Sequence, residues 1–140
     1  MSDRLSITAG GLAFAAQLER EAAPRTCELF VGMLPLESKL VQARWSGRAA
    51  WIPMGYEQLL DLPPENATSI PLPGQILLYP GGVSEVEILF PYGSTYFASV
   101  AGPLAGNHFL TVSDGHDRLA ELGERVLWQG AQDVASELAG

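Results

Sequence analysis

At 140 residues and 15.0 kDa the chain has the length of one domain, and 47% hydrophobic residues against 17% charged let it bury a core, which excludes a mainly disordered state. Sixteen acidic against eight basic side chains give a net charge of -8, and there is one lysine, Lys39. Nucleic-acid backbones and anionic membrane surfaces need clustered Lys and Arg, so neither is an expected partner. Cys27 is the one cysteine and cannot form an intrachain disulfide. MSDRLSITAGG lacks the basic and apolar regions of a signal peptide, and no uninterrupted apolar run approaches the ~18 residues of a membrane span. The expectation is one cytoplasmic domain over residues 1–140.

RLSITA and LAFAAQLER read as strands joined at Gly10-Gly11, a pair suited to the positive φ of a tight hairpin. In APRTCELFVGML, Pro24 suits a first helical turn, apolar residues recur at helical spacing, and Pro35 ends the element. ESKLVQARWSG and RAAWIP predict two strands about Ser46-Gly47, with Leu40, Gln42 and Arg44 on one face and Val41, Ala43 and Trp45 on the other. Residues 53 to 74 are rich in Pro and Gly and predict a long loop, either a binding or assembly loop or one pinned to the core by Tyr56, Leu59, Leu60 and Leu62. QILLYP and EVEILFPYG are the strongest strands, joined across Gly81-Gly82-Val83-Ser84, and YFASV pairs with HFLTVS across GPLAGN. The tail HDRLAELGERVLWQGAQDVASEL predicts helix, with Asp114 available as N-cap and with Gly123 and Gly130 as break points. The fold class is mainly β.

Three segments carry a family resemblance. Ala23-Pro24-Arg25-Thr26-Cys27-Glu28-Leu29-Phe30 resembles the opening of the first helix in cyclophilins, Gly93-Ser94-Thr95-Tyr96-Phe97-Ala98 their aromatic strand, and Val112-Ser113-Asp114-Gly115-His116-Asp117 the entry to their second helix, all in the family's order. With ARWSGRAAWIP, DLPPENATS, PGQILLYPGGVSE and LAGNHF, nearly the whole chain resembles a bacterial family of unknown function assigned a cyclophilin-like fold. The resemblance implies a closed or nearly closed β-barrel with a short helix after the first hairpin and a C-terminal helix. It also implies that Arg44 and Phe97 match the substrate-contacting arginine and the pocket phenylalanine of cyclophilins. The counterparts of the family's F-M-x-Q-G-G-D segment and pocket tryptophan are missing, and its histidine aligns nearer Gly106 than His108. Three functions follow: a pocket for a small anionic or amide-bearing molecule, a prolyl isomerase with a degenerate site, or an assembly module of an amide-hydrolysing complex.

Arg44, with Gln42 beside it, could hold a carboxylate or amide oxygen bidentately, or could be a surface arginine paired with an acid. Glu85 and Glu87 alternate with Val86 and Ile88, so both carboxylates share a face about 7 Å apart, as an acid/base pair or as an ordinary solvated strand face. His108 and Asn107 sit at a strand start near the expected pocket, where the imidazole is either a base or a structural group. Tyr79, with Trp45, Trp51, Tyr92 and Tyr96, could line a pocket, pack a core or face another subunit. Leu127 and Trp128 point to a second copy of the chain as a partner. Cys27 reads as core. The spacing of two histidines and one cysteine offers no metal site, and no cofactor motif is present.

Overall fold

A computed structural model describes residues 3–139, so Met1, Ser2 and Gly140 of the expected 1–140 domain lie outside the described residues. In chain order the elements are β1 (Arg4–Ala9), β2 (Leu12–Leu18), α1 (Pro24–Val31), β3 (Leu36–Gln42), β4 (Gly47–Pro53), β5 (Ala67–Thr68) and β6 (Gln75–Tyr79). They continue as β7 (Glu87–Thr95), β8 (Ala98–Ser99), β9 (Gly102–Pro103), β10 (Gly106–Asp114), a 3-10 turn at His116–Arg118, α2 (Leu119–Gln129) and β11 (Gln132–Leu138). The main sheet runs β2-β1-β11-β3-β4-β7-β6-β10, and β10 pairs back onto β2, closing an eight-stranded antiparallel barrel. Closure leaves no open sheet edge around the ring.

The hairpin at Gly10-Gly11 forms as expected, with φ of 58° and 82°, values that a residue with a Cβ adopts only at a cost. Pro24 opens α1 at its first turn. Alternation sorts the strands into two faces. Ala50, Ile52, Leu40, Ile88 and Phe90 join the barrel interior with Phe30 and Phe109. Ala43, Ala49, Leu77, Tyr79 and Leu89 point the other way and pack with Phe97, Leu104 and the partly buried Trp51. That second cluster lies on the outer face of β3, β4, β7 and β6, and the β8–β9 hairpin covers it. Burying one Leu or Phe in either cluster stabilises the fold by roughly 1.5–3 kcal/mol.

Four expectations are corrected. The tail helix ends at Gln129, and Gln132–Leu138 is a strand inserted between β1 and β3. Val134 and Ser136 are buried there, a period of two that the sequence pattern also permits. Gly123 does not break α2: a Cβ at this position would run into the ring of Tyr92, so the glycine is required by helix-to-sheet packing. Asp114 caps nothing, since the 3-10 turn starts from Gly115 at φ 110° and Asp114 ends β10. YFASV likewise does not pair with HFLTVS. Ala98–Ser99 forms a small hairpin with Gly102–Pro103, and β10 pairs with β2, β5 and β6. Leu127 and Trp128 are exposed on α2, and no helix among the described residues is long and apolar enough to cross a membrane.

Candidate functional site

A cavity of about 320 Å³ opens on the outer face of the barrel, at the end where β3 turns into β4. The turn supplies Arg44, Trp45 and Ser46, and β3 and β4 supply Val41, Gln42 and Trp51. Tyr56 comes from the loop after β4, Ser84 and Glu85 from the turn before β7, Glu87 from the first position of β7, and Ala98, Ser99 and Val100 from the β8 hairpin. The size matches small-molecule sites. A larger groove of about 480 Å³ crosses β1, β11 and β3, but its walls carry no aromatic or basic side chain and its Asp133 is already paired with Lys39.

Backbone ties hold the rim. The buried Ser46 hydroxyl donates to the Ala98 carbonyl at 3.1 Å and accepts from the Ala98 amide at 3.0 Å, locking the β3–β4 turn to the β8 hairpin. Gln42 is held at both ends: Tyr92 Oη donates to its Oε1 at 2.6 Å, and its Nε2 donates to the Gly47 carbonyl at 2.7 Å. The Tyr79 hydroxyl accepts from the amides of Val83 and Ser84 at 3.1 and 3.4 Å, which sets the turn that carries Glu85. Glu85 Oε1 accepts from the Gly55 amide at 2.9 Å and so fixes the loop that presents Tyr56.

Glu87 differs from its neighbours. It is 6% exposed and lies between Pro53 and Tyr79 in the sheet, and its carboxyl makes no hydrogen bond or ion pair with the described residues. Every fully buried side-chain N or O atom among the described residues has a partner, so the unpartnered Glu87 carboxyl must reach the cavity. Burial, and then the charge of Glu85, pushes its pKa up from 4.5 to about 8, so the acid is neutral near pH 7. Glu85 and Glu87 therefore share one wall, as expected, but Glu87 is no solvated strand residue. Arg44 also lacks a partner among the described residues, and it is exposed at the cavity rim. It stands in the turn rather than on a strand, because β3 ends at Gln42.

The remaining candidates do not join this site, which corrects the expected grouping of Arg44, Phe97 and His108. Phe97 is wholly buried under the β8 hairpin with its ring 5.8 Å from that of Tyr79, so it offers no docking surface. Asn107 is buried and fully engaged: its Nδ2 donates to Thr26 Oγ1 and the Pro63 carbonyl, each at 3.0 Å, and its Oδ1 accepts from the Glu65 amide at 3.0 Å. It fastens the long loop to α1. Glu65 completes the fastening by accepting from the Thr26 amide at 2.8 Å and hydroxyl at 2.7 Å and from the Arg25 amide at 3.2 Å, capping a helix whose own N-cap, Ala23, has no side-chain oxygen. His108 lies in a separate polar chain, where Nε2 meets Thr111 Oγ1 at 2.7 Å and the Thr111 hydroxyl donates to Glu19 Oε2 at 2.7 Å. Burial lowers its pKa, against the raising effect of Glu19. Cys27 is buried in the core, and burial pushes its thiol up to about 11, which makes it inert. Tyr56 and Val100 are among the lining residues that sequence reasoning missed, with Ser46, Ser84 and Ser99. Tyr56 read as a loop anchor and Val100 as the end of a strand.

Barrel and cavity together define a closed antiparallel β-barrel with a pocket on its outer wall. The chain belongs to the family described as "Protein of unknown function (DUF3830)", which it matches over residues 5–137. No curated protein matches it. Among solved structures it is similar to McbB in complex with tryptophan, at 19% identity and a TM-score of 0.72, covering 97% of this chain and 45% of the McbB chain. It is also similar to the hypothetical protein AF2241 from Archaeoglobus fulgidus, at 17% identity and a TM-score of 0.56, covering 99% of this chain and 95% of the other. The chain thus spans less than half the length of McbB, and both likenesses concern the fold.

Proposed function

We propose that this chain binds a small molecule carrying a carboxylate or an amide in the outer-wall cavity, with Arg44 as the anchor. The observation that carries the reading is one cavity of about 320 Å³ whose wall holds two ionisable side chains without side-chain partners among the described residues, Arg44 and the buried Glu87. Keeping an acid buried and unpaired costs stability, and a fold tolerates that cost where a ligand completes the pair. The guanidinium supplies a planar fork for two oxygens, and the indoles of Trp45 and Trp51 with the Tyr56 ring supply flat apolar walls. McbB, with the same barrel, is described in complex with tryptophan, a small molecule that joins a carboxylate to an aromatic body. That pairing of chemistries fits the walls of this cavity. The reading keeps the expectation of one domain working in the cytoplasm.

The test is a thermal-shift screen of aromatic and aliphatic carboxylates and their primary amides against the wild type and Arg44→Ala. A ligand at a hundredfold excess over its Kd stabilises the fold by about 2.7 kcal/mol. A saturable rise in melting temperature that Arg44→Ala abolishes is the expected result. Equal shifts in both proteins would refute the anchor.

A further inference from the structure

The cavity holds more potential negative charge than positive, because Glu85 and Glu87 share a wall that faces one arginine. Glu85 has a partner in the Gly55 amide, whereas Glu87, more than nine-tenths buried, has none among the described residues. Trp45, Trp51 and Tyr56 line the same space. Two carboxyls beside three electron-rich rings make a receptor for a cation, since the rings attract positive charge through their faces and the acids supply hydrogen-bond acceptors. The groups around Glu87 are Glu85 on its own segment, Arg44 from the β3–β4 turn, Tyr56 from the loop after β4, and Tyr79 from β6, whose hydroxyl is committed to the Val83 and Ser84 amides. Arg44 is exposed and pairs with neither acid. The wall therefore lacks a cation of its own at Glu87.

We infer that Glu87 is a second ligand anchor and that the cavity takes a small zwitterion, its carboxylate on Arg44 and its protonated amine against Glu87 and Glu85. This inference rests on the carboxylate reading above and narrows it to aromatic α-amino acids and molecules of like build. Proton balance follows from the buried, neutral state of Glu87. The ligand enters as an ammonium and keeps its protons, while the neutral Glu87 carboxyl releases one proton to solvent and becomes the carboxylate that faces it. The neutral resting state is the one that burial and Glu85 impose on Glu87 by raising its pKa to about 8. Binding is then linked to pH: affinity rises about tenfold per pH unit up to about pH 8, as the empty site gives up its proton more readily.

Titration calorimetry with L-phenylalanine, N-acetyl-L-phenylalanine and phenethylamine tests this, each in two buffers of different ionisation enthalpy and across the neutral pH range. The expected result is that L-phenylalanine binds with release of close to one proton and with the pH dependence above, that N-acetylation weakens binding at least about tenfold, and that Glu87→Gln loses both the proton release and the preference for the free amine. Proton release is read on the unmutated protein, so the inference does not depend on the variant. If N-acetyl-L-phenylalanine binds as tightly as the free amino acid with no proton release, the amine anchor is overturned while the Arg44 reading survives. Binding of phenethylamine alone, unaffected by Arg44→Ala, overturns the carboxylate anchor and with it the zwitterion. If none of the three binds, the aromatic zwitterion is overturned, and the thermal-shift screen with Arg44→Ala decides the carboxylate reading separately.

Discussion

Glu87 makes the site measurable without a ligand. In the fold its carboxyl ionises only at about 8, against 4.5 for an unperturbed glutamate. The unfolded chain therefore sheds a proton from pH 4.5 upward that the native chain keeps until about pH 8, so the native state binds more protons throughout that window. Stability then falls as pH rises, and ionising this one buried group in the fold costs about 5 kcal/mol over the whole window and about 3 kcal/mol by pH 7. Glu87→Gln copies the neutral acid in shape and removes the titration. Urea denaturation of both proteins between about pH 5 and about pH 8 isolates the effect, because every other titrating group is common to the pair. The variant should gain on the wild type steadily across the range, by a few kcal/mol at the alkaline end. A constant difference between the two curves would show that Glu87 ionises normally, and the reading of the cavity wall would fail with it.

Three other expectations follow from particular contacts. Asn107→Leu leaves the Pro63 carbonyl and the Glu65 amide without their Asn107 partner, takes one donor from the Thr26 hydroxyl, which keeps its bond to Glu65, and should cost about 3 kcal/mol, with faster hydrogen exchange at the Thr26 and Glu65 amides; unchanged exchange would mean that the loop is held elsewhere. Gly123→Ala drives a methyl into the Tyr92 ring and should cost about 1–3 kcal/mol while displacing the Tyr92 hydroxyl from Gln42, readable as a lower melting temperature and a shifted Gln42 side-chain amide resonance. His108 should titrate by NMR below its ordinary 6.5 because burial disfavours the imidazolium, and Glu19→Gln should take its midpoint lower still. Its contribution to stability is complete above 6.5 and is lost as pH falls through the native value, so a midpoint at or above 6.5 would contradict the buried environment.

The barrel was legible in the sequence wherever local pattern and final environment agree. Gly10-Gly11 fixes a hairpin by backbone geometry alone, Pro24 marks a helix start, and alternation in Glu85–Phe90 survives because β7 has a packed layer on each face. Gln132–Leu138 failed for the opposite reason. Its helical apolar spacing continued that of α2, and only its position between β1 and β3, set by residues about a hundred positions away, makes it a strand. Gly123 misled in the same way: a glycine inside a helix lowers local propensity, yet here it answers the bulk of Tyr92 from another element.

Sequence spacing cannot distinguish a residue that supports a site from one that faces it. Tyr79, Phe97 and Asn107 all lie near the segments that build the cavity, and each is spent on protein contacts: a turn, a ring pair, a loop. Arg44 and Glu87 differ only in what they lack, and the lack of a partner is a property of the whole surrounding surface. Sequence proximity could suggest Glu85 and Glu87 as a pair, but it could not show that one carboxylate is held by the Gly55 amide while the other is left to the cavity. Burial, and then the charge of Glu85, keep Glu87 protonated near neutrality, and a hydrogen-bond donor at Glu87 would have stabilised its charged form and lowered its pKa. The same missing donor leaves room for one from a ligand, so the cost carried by the empty fold and the affinity offered to an amine have a single structural origin.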